Sequence, residues 1–262
     1  MAWTPFTRLD HVRSGQHYTS DMTAREFALI LACFPGQPRL GRKRRTDLHA
    51  VVDAVFYVLQ SGCRWASLLT DIPPKSTVYW YFRRLLEDGT WGRIHDVLYE
   101  ECRGLEGREA QPSAAIIDSQ SVKTGPNAHG SVGYDAKKKI KGRKRHIMTD
   151  TVGLLLKGDV HSAAIQDRNG APRLFDTLTA RFPFLEVIIG DSAYAGDKVA
   201  NASPRPVEII RRSDTAKGFQ VLPKRWIVER TFAWLNRQRR RTRKPPHHRQ
   251  SHRYPSHLRP GS

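Results

Sequence analysis

The sequence lacks any apolar run long enough to cross a membrane, and its cysteines are few. The longest apolar stretch, residues 27–34, is much shorter than the roughly 20 residues of a spanning helix, and the N-terminal residues do not resemble a signal peptide. Cys33, Cys63 and Cys102 have no CxxC spacing, which excludes a disulfide framework and a cysteine-based zinc site. We therefore expect a cytoplasmic protein that does not associate with membranes.

Acidic residues are also scarce. The chain has 25 Asp and Glu against 44 Lys and Arg, a formal net charge of +19. This excess indicates a polyanionic partner, because Lys and Arg release counterions when they bind phosphates. With 262 residues, 39% of them hydrophobic, the chain can also bury a core. The composition predicts a globular protein that binds nucleic acid.

Residues 21–105 have the pattern of a helical domain. One predicted helix is capped by Thr46 and ended by Gly62, with apolar residues at a period of 3.6. A second helix follows a Pro-Pro turn, with Ser76 as its cap, and a third begins at Thr90.

The second predicted helix has a basic outer face that contains Trp80, Arg83 and Arg84. In a helix-turn-helix protein such a face contacts DNA. In an ordinary helical bundle the same face is simply solvated. The sequence pattern leaves both interpretations open.

The hydrophobic period changes after a polar linker at residues 106–113. Strands are predicted at 114–117, 145–149, 154–160, 186–190 and 207–210, and helices at 171–181 and 225–237. Residues 114–240 are therefore expected to form a mixed α/β sheet domain. Residues 1–20 are expected to form an N-terminal arm, and residues 241–262, which have few apolar positions, a disordered basic tail.

Two aspartates occur in matching contexts. Asp118 follows the run AAII and Asp191 follows VIIG, so each is predicted at the C-terminal end of a buried strand, where open α/β sheets place their sites. A single acid in this context is usually a turn or cap residue. Two on adjacent strands would repel each other unless a cation neutralised them, so the pair favours a metal site.

A third acid, Glu229, lies within the predicted helix KRWIVERTFAWLNR. It could form a structural ion pair with Arg225 or supply a third oxygen ligand to a hard cation such as Mg²⁺. The helical pattern predicts that Trp226, Ile227 and Trp234 face the sheet. Two further acids compete for a place near the site. We expect Asp150 to be the fourth carboxylate and Asp167 to be a helix N-cap.

A basic run, KKKIKGRKRH at 137–146, lies between the two aspartates. Charge runs are usually solvated surface, but this position favours contact with a phosphate backbone. The candidate DNA-binding residues are Lys137, Lys138, Lys139, Lys141, Arg143, Lys144 and Arg145, with Lys123 as a weaker one.

Several ordered runs carry a family resemblance. The runs IIDSQSVKT, GYDAKKKIKGRKRHIMTDTVGLLL, AAIQDRNGA, IIGDSAYAG and RWIVERTFAWLNR resemble, in order and spacing, the DDE transposases of bacterial insertion sequences, in the insertion-sequence-five group. The resemblance covers about residues 20–240. It implies an RNase H-like catalytic domain preceded by a helix-turn-helix-like domain, with Asp118, Asp191 and Glu229 as catalytic residues and metal ligands.

The resemblance also implies the chemistry. Two Mg²⁺ or Mn²⁺ ions, about 3.5–4 Å apart, would hold the attacking and leaving oxygens at phosphorus. Water would first cleave the terminal inverted repeats of the element, as in an endonuclease, and the freed 3′-hydroxyl would then attack target DNA. The resemblance implies a homodimer on double-stranded DNA, associated with the bacterial nucleoid. Ser119, Ser121 and Tyr194 are expected to position or pack and not to act as nucleophiles.

The sequence departs from the family in two places. Leu222 and Asn236 stand where the family has Tyr and Lys, whereas Arg225 matches and Arg237 is the nearest substitute for the Lys that contacts DNA. From about Arg240 a Pro-, His- and Arg-rich tail replaces the expected amphipathic stretch. The alternative function is therefore a truncated, non-catalytic copy that binds element ends as a repressor. A host nuclease is disfavoured by the helical N-terminal region.

Overall fold

The N-terminal part of the chain is helical. The computed structural model describes residues 16–37, 40–41, 43–125, 130–210 and 225–238. The first four helices are α1 (Ala24–Ile30), α2 (Leu48–Ser61), α3 (Lys75–Glu87) and α4 (Thr90–Leu105). Their apolar sides form one shared core that includes Ile30, Val52, Leu85 and Ile94. The predicted N-terminal arm lies largely outside the described residues.

The three predicted helices are present, but their caps differ from the expected ones. The carboxylate of Asp47, and not Thr46, caps α2 by accepting the backbone N–H of His49 at 2.8 Å. The same helix ends as predicted at Gly62, which adopts a left-handed conformation with φ of +70°. For α4, Asp88 accepts from both the backbone N–H and the hydroxyl of Thr90. An aspartate just before the helix therefore replaces the predicted hydroxyl cap.

The C-terminal part is a mixed sheet with helices. Its strands are β1 (Ala114–Lys123), β2 (Gly133–Asp135), β3 (Ile140–Asp150), β4 (Leu155–Ser162), β5 (Val187–Asp191) and β6 (Val207–Ile210). Its helices are α5 (Asp167–Gly170), α6 (Pro172–Phe175), α7 (Leu178–Arg181), α8 (Asp197–Ala202) and α9 (Arg225–Arg237). The prediction of a mixed α/β architecture is confirmed.

The strands run in the order β2-β3-β1-β5-β6, and β4 also pairs with β3. β1 and β4 are antiparallel to β3, whereas β5 is parallel to both β1 and β6. The antiparallel strands are consecutive in the chain, whereas the parallel ones are joined through helices. β1 therefore lies at the centre of the sheet, between its antiparallel and parallel parts.

β1 is longer than predicted. It continues to Lys123, so Asp118 lies in the middle of the strand and not at its end. The sequence after Asp118 has few apolar residues, but Ser119 and Ser121 take the buried positions of the alternating pattern. The prediction for Asp191 is correct, since this residue is the last of β5.

The sheet is covered on both faces. On one face Ile117, Met148 and Ile188 pack with residues of α6 and α7. On the other face the side chains of Ile116, Ile147 and Ile189 pack against Ile227, Val228 and Phe232 of α9. The second layer fixes α9 across the centre of the sheet, next to the strands that carry the two aspartates.

Candidate active site

Asp118 and Asp191 are brought together by the pairing of β1 with β5. The last paired residues of the two parallel strands are Ile116 and Ile189, and each aspartate lies two positions further along. Because side chains alternate along a strand, both carboxylates point to the face that carries α9. Asp118 accepts the backbone N–H of Ser119 at 2.7 Å and Asp191 that of Ala193 at 2.9 Å.

α9 supplies the third acid. Its apolar side is held on the sheet by Ile227, Val228 and Phe232, which leaves Glu229 exposed on the neighbouring side of the helix. Glu229 lines the same cavity as Asp118 and Asp191, and this cavity has a volume of about 900 Å³. The structure therefore brings the three predicted carboxylates to one cavity.

The cavity exists because β5 is shorter than β1. Among the described strands, none pairs with that edge of β1 beyond Ile116, so the backbone of the second half of β1 faces open space. Lys138, from the turn between β2 and β3, reaches this edge and donates to the carbonyl of Ser119 at 3.4 Å. Lys137 and Lys138 thus line the same cavity as the carboxylates.

The donor set fits hard divalent cations by its chemistry, since carboxylate oxygens are the ligands that Mg²⁺ and Mn²⁺ prefer. Within the described residues, however, no three His, Cys, Asp or Glu side chains lie close enough to hold one ion together. The three acids therefore share a cavity, as predicted, but among the described residues they do not converge closely enough to hold one cation. Mg²⁺ needs few protein ligands, because it keeps several waters and takes phosphate oxygens from the substrate.

A buried polar network lies behind the cavity. Asp167 accepts from the hydroxyl of Ser119 at 2.6 Å and from Lys144 Nζ at 2.7 Å. Lys144 also donates to the carbonyl of Ile165 at 2.8 Å and lies 3.8 Å from Asp135. Burial alone would raise the pKa of Asp167, but the hydrogen bonds from Lys144 and Ser119 outweigh it and lower that pKa below its ordinary value.

Two models of known protein families match this chain. The model of the transposase DDE domain matches residues 109–252, more than half of the chain. The chain belongs to the DDE transposases. The model of a putative transposase of the IS4/5 family (DUF4096) matches residues 22–95, so the two matches together cover most of this transposase. The first match continues past Arg240, where the sequence analysis placed the end of the resemblance.

Among solved structures, the chain is similar to the piggyBac transposase in its synaptic complex with hairpin DNA. The identity is 14%, the TM-score is 0.33, and the match covers 73% of this chain and 47% of the piggyBac chain. This chain thus spans about half the length of that protein. No curated protein matches the chain. Among the described residues of the transposase, none of the helices has the length and apolarity required to cross a membrane.

Two predictions about the additional acids of the transposase are wrong. Asp150, expected as a fourth carboxylate, is fully buried and binds Arg103 at 2.6 Å. Asp167, expected as an N-cap, follows the N-cap residue Gln166 and lines the cavity. The signal for Asp167 was present in the family-like run AAIQDRNGA, whereas the partner of Asp150 lies 47 residues away in the chain and leaves no local signal.

The predicted basic run does not act as one surface. Lys144 and Arg145 are only 4% and 7% exposed. Arg145 donates to Gln120 and Asn236, and its guanidinium lies over the ring of Phe232. Arg145 therefore holds the sheet and α9 together, whereas Lys144 binds Asp167 and the carbonyl of Ile165 just before α5. The exposed members of the predicted set are Lys123, Lys137, Lys138, Lys139 and Lys141, with Arg143 partly buried.

The prediction that Trp226 and Trp234 face the sheet is also wrong. They are 48% and 44% exposed, and the guanidinium of Arg230 lies 4.8 Å from each ring centroid. Arg230 is fixed in turn by a hydrogen bond to the carbonyl of Val152 at 2.5 Å. Cation–π contacts on the outer side of α9 thus replace burial in the core.

Other predicted residues keep their proposed surface positions. Trp80, Arg83 and Arg84 of α3 are exposed, with Arg84 over the Trp80 ring and Arg83 paired with Glu87. This arrangement is compatible with both interpretations of the helix. Arg237 is exposed at the end of α9. The side chain of Arg225, residue Leu222 and the tail at 241–262 lie outside the described residues.

Tyr194 lies in the short turn after Asp191 and is buried in the core of the sheet. It is 2% exposed, and its hydroxyl lies 2.8 Å from His146 Nε2. Burial raises the pKa of Tyr194 well above its ordinary value. The negative charges of Asp118, Asp167 and Asp191 act in the same direction. A buried, protonated phenol of this kind is a poor nucleophile, which agrees with the prediction that Tyr194 positions or packs.

Proposed function

We propose that the chain is a DNA transposase that performs metal-dependent strand cleavage and strand transfer at the ends of an insertion sequence. The observation that carries this proposal is the common cavity of Asp118, Asp191 and Glu229, three residues far apart in the chain. The family membership supports the same reaction. DNA is the substrate, in line with the charge of +19.

We also propose that the sheet is RNase H-like. Three antiparallel strands, β4, β3 and β1, are extended by the parallel strands β5 and β6, which is the strand arrangement expected of that fold. In such a sheet the acids of the site lie on the central strand and its parallel neighbour. Asp118 and Asp191 occupy these positions.

The proposed chemistry assigns separate tasks to the residues around the cavity. Asp118, Asp191 and Glu229 would hold two divalent ions, which when bound supply an activated water and neutralise the charge that develops at phosphorus. Lys137 and Lys138 line the cavity and would hold the phosphates of the strand being cut. No covalent protein intermediate forms, because water and then the freed 3′-hydroxyl are the nucleophiles.

The remaining DNA contacts are assigned to surfaces outside the cavity. Lys139 and Lys141 continue the exposed basic surface along the turn between β2 and β3. Arg83 and Arg84 of α3 would contact the element ends as part of a helix-turn-helix-like domain. Two copies would act on paired ends, and the protein would associate with the nucleoid. Light scattering of the protein with and without a terminal-repeat duplex measures whether DNA pairs two copies.

The decisive experiment removes one carboxylate at a time. We expect Asp118→Ala, Asp191→Ala and Glu229→Gln to abolish Mg²⁺- or Mn²⁺-dependent nicking of the element's own ends and to leave the binding of the same duplex unchanged. Glu208→Gln on β6 is the matched control for Glu229→Gln, since it removes an exposed glutamate charge away from the cavity. Cleavage retained in any of the three variants would reject the assignment.

A second function, that of a non-catalytic repressor bound to element ends, is favoured by one observation. The three acids do not form a preformed group around one ion in the described part of the chain. This alternative predicts tight binding of the terminal repeats without any cleavage in Mg²⁺ or Mn²⁺. The result should be the same whether the duplex is intact or already nicked. Restoring a family-like sequence after Arg240 would then give cleavage to a protein that otherwise only binds.

A further inference from the structure

One wall of the cavity is formed by the hairpin of β2 and β3. Tyr134 of β2 lines this wall together with Lys137 and Lys138, in the same cavity as the carboxylates. Tyr134 is 55% exposed, although a tyrosine carries a large apolar ring that usually packs in a core or an interface. The chemistry proposed above gives no task to this exposed ring between the two lysines and the carboxylates.

The neighbours of Tyr134 in β2 determine which way its ring points. Asp135 is buried, and its carboxylate accepts the backbone N–H of Lys138 at 3.0 Å. On the other side of Tyr134, a Cβ atom at Gly133 would lie 2.1 Å from Ser162 Oγ, so β2 packs too closely there for a side chain. Because side chains alternate along a strand, Tyr134 points away from both contacts. The anchored neighbours therefore hold its ring in the cavity wall.

The other exposed aromatic residues are placed differently. In the described part of the chain, Trp80, Trp226 and Trp234 have an arginine guanidinium over the ring, and Phe184 lies outside the cavity lining. Tyr134 combines an exposed ring with a place in the cavity, and among the residues that the structure describes no cation or second ring is stacked on it. A ligand in the cavity can therefore contact the face of this ring.

The cavity has room for more than metal ions. Its volume of about 900 Å³ is near the upper end of the range for small-ligand sites, so a nucleotide fits together with hydrated cations. Aromatic rings beside a cationic groove are the means by which proteins bind unpaired nucleotides, since a base stacks its π-face on the ring. In a paired duplex both faces of a base are already stacked, so only an unpaired base can use Tyr134.

We infer that Tyr134 is a stacking site for an unpaired base of the DNA strand that enters the cavity, while Lys137 and Lys138 hold the phosphates of that strand. This inference rests on the proposed function, since it assumes that DNA is the substrate of the cavity. It assigns the contact to the ring of Tyr134 and not to its hydroxyl. The cavity should therefore bind a strand that has bases more tightly than an equally charged strand that lacks them.

Two probes of equal charge separate base stacking from phosphate binding. The first is an oligothymidylate of about twelve nucleotides and the second an abasic oligonucleotide of the same length. Fluorescence anisotropy measures the affinity of the full chain for each, with Ca²⁺ present to neutralise the carboxylates. Wild type should bind the oligothymidylate about tenfold more tightly, whereas Tyr134→Leu should bind both probes as weakly as wild type binds the abasic one. Equal affinities in wild type, or an undiminished difference in Tyr134→Leu, would overturn the inference.

Further variants identify the part of Tyr134 that acts. Tyr134→Phe and Tyr134→Trp keep an aromatic ring and should keep the preference for the oligothymidylate. If Tyr134→Phe loses this preference as Tyr134→Leu does, the hydroxyl makes the contact and stacking is rejected. Phe184→Leu is the matched control, because it removes an exposed ring outside the cavity, and it should bind both probes as wild type does. An equal loss in this control would also reject the inference.

A second measurement needs no substitution. One thymine of the oligothymidylate is replaced by iodouracil, which on irradiation crosslinks to an aromatic ring stacked on it. We expect mass spectrometry of the wild-type protein to find the crosslink on the peptide that contains Tyr134, and a crosslink confined to other peptides would overturn the inference. If instead Asp118→Ala still nicks the element ends, the proposed function fails, and the binding and crosslinking results continue to decide the role of Tyr134.

Discussion

Two buried carboxylate–cation pairs involve β3, one at its last residue, Asp150, and one at Lys144 near its middle. They differ in how completely they are enclosed. In the pair of Arg103 with Asp150, the side chains are 6% and 0% exposed. In the pair of Lys144 with Asp167, they are 5% and 23% exposed, and the carboxylate lines the cavity. The first pair is completely enclosed, whereas the second leaves one side of its acid accessible to a ligand.

The enclosed pair is also fully satisfied by hydrogen bonds. Asp150 accepts from Arg103 and Tyr99 through one oxygen, and from the backbone N–H groups of Val152 and Leu154 through the other. Such an acid has no remaining capacity for a ligand. The comparison teaches that burial of a charged pair does not by itself mark a functional site, and that the accessible side of the acid is the distinguishing feature.

The largest expected effect comes from breaking the enclosed pair. Arg103→Ala leaves Asp150 as an unpaired buried charge, and we expect a loss of about 3–5 kcal/mol in the free energy of unfolding. Urea unfolding followed by circular dichroism measures it. A loss below about 1 kcal/mol, the range of exposed pairs, would mean that water reaches Asp150 and that the two buried pairs are alike.

A smaller effect on the free energy of unfolding is expected from the titration of His146 with pH. Burial lowers the pKa of His146 to about 4, so the folded protein binds this proton less readily than the unfolded chain, whose histidine pKa is about 6.5. The contribution of His146 to stability is complete above about pH 6.5 and is lost as the pH falls toward 4, by up to about 3 kcal/mol.

Unfolding of wild type and His146→Gln at a series of pH values measures this difference. The variant should lose less stability than wild type between neutral pH and pH near 4, because it lacks the titrating ring. If the free energy of unfolding changes with pH in parallel for the two proteins, the acid sensitivity arises elsewhere, for example in carboxylates away from His146.

Breaking the cavity pair should destabilise the protein less than breaking the enclosed one. Lys144→Met keeps the length of the side chain but removes its bonds to Asp167 and to the Ile165 carbonyl. Because Asp167 can still reach water, we expect a loss of about 1–3 kcal/mol. The same urea titration measures it. A loss as large as that of Arg103→Ala would show that the cavity pair is also structural.

The smallest loss of unfolding free energy is expected for an exposed pair. It is the reference against which the losses from the two buried pairs are compared. Arg83 and Glu87 are paired at 2.7 Å on α3, with side chains 53% and 64% exposed. We expect Arg83→Ala to leave the unfolding midpoint unchanged. Its affinity for a terminal-repeat duplex should nevertheless fall, with a smaller salt dependence. Unchanged DNA affinity would favour the solvated-face interpretation of α3.

The sequence was sufficient to predict the mixed α/β architecture and the three carboxylates that share the cavity. The matching contexts of Asp118 and Asp191 predicted neighbouring strands because short apolar runs followed by an acid repeat at both positions. The length of β1 could not be predicted in the same way. Ser119 and Ser121 are polar but buried, since their hydroxyls donate to Asp167 and Asp135, and buried polar residues conceal the alternating pattern.

Long-range partners account for the remaining errors. Asp150 ends a strand and Asp167 begins a helix, but it is their partners, Arg103 and Lys144, that differ in how far they enclose each acid. Trp226 and Trp234 have the hydrophobicity of core residues, but Arg230 between them provides a contact at the surface. The predictions were therefore least accurate where a residue's environment depends on side chains that are distant in sequence or on cation–π contacts.

Helix α4 belongs to two cores at once. Its first half contributes Ile94 to the helical core, whereas Tyr99 packs within the core of the sheet and Arg103 forms the enclosed pair. A cut at the polar residues 106–113 would leave the sheet without one of its own walls. The helical part and the sheet are thus joined through α4, and a displacement of the helices would reach β3, the strand that pairs with the one carrying Asp118.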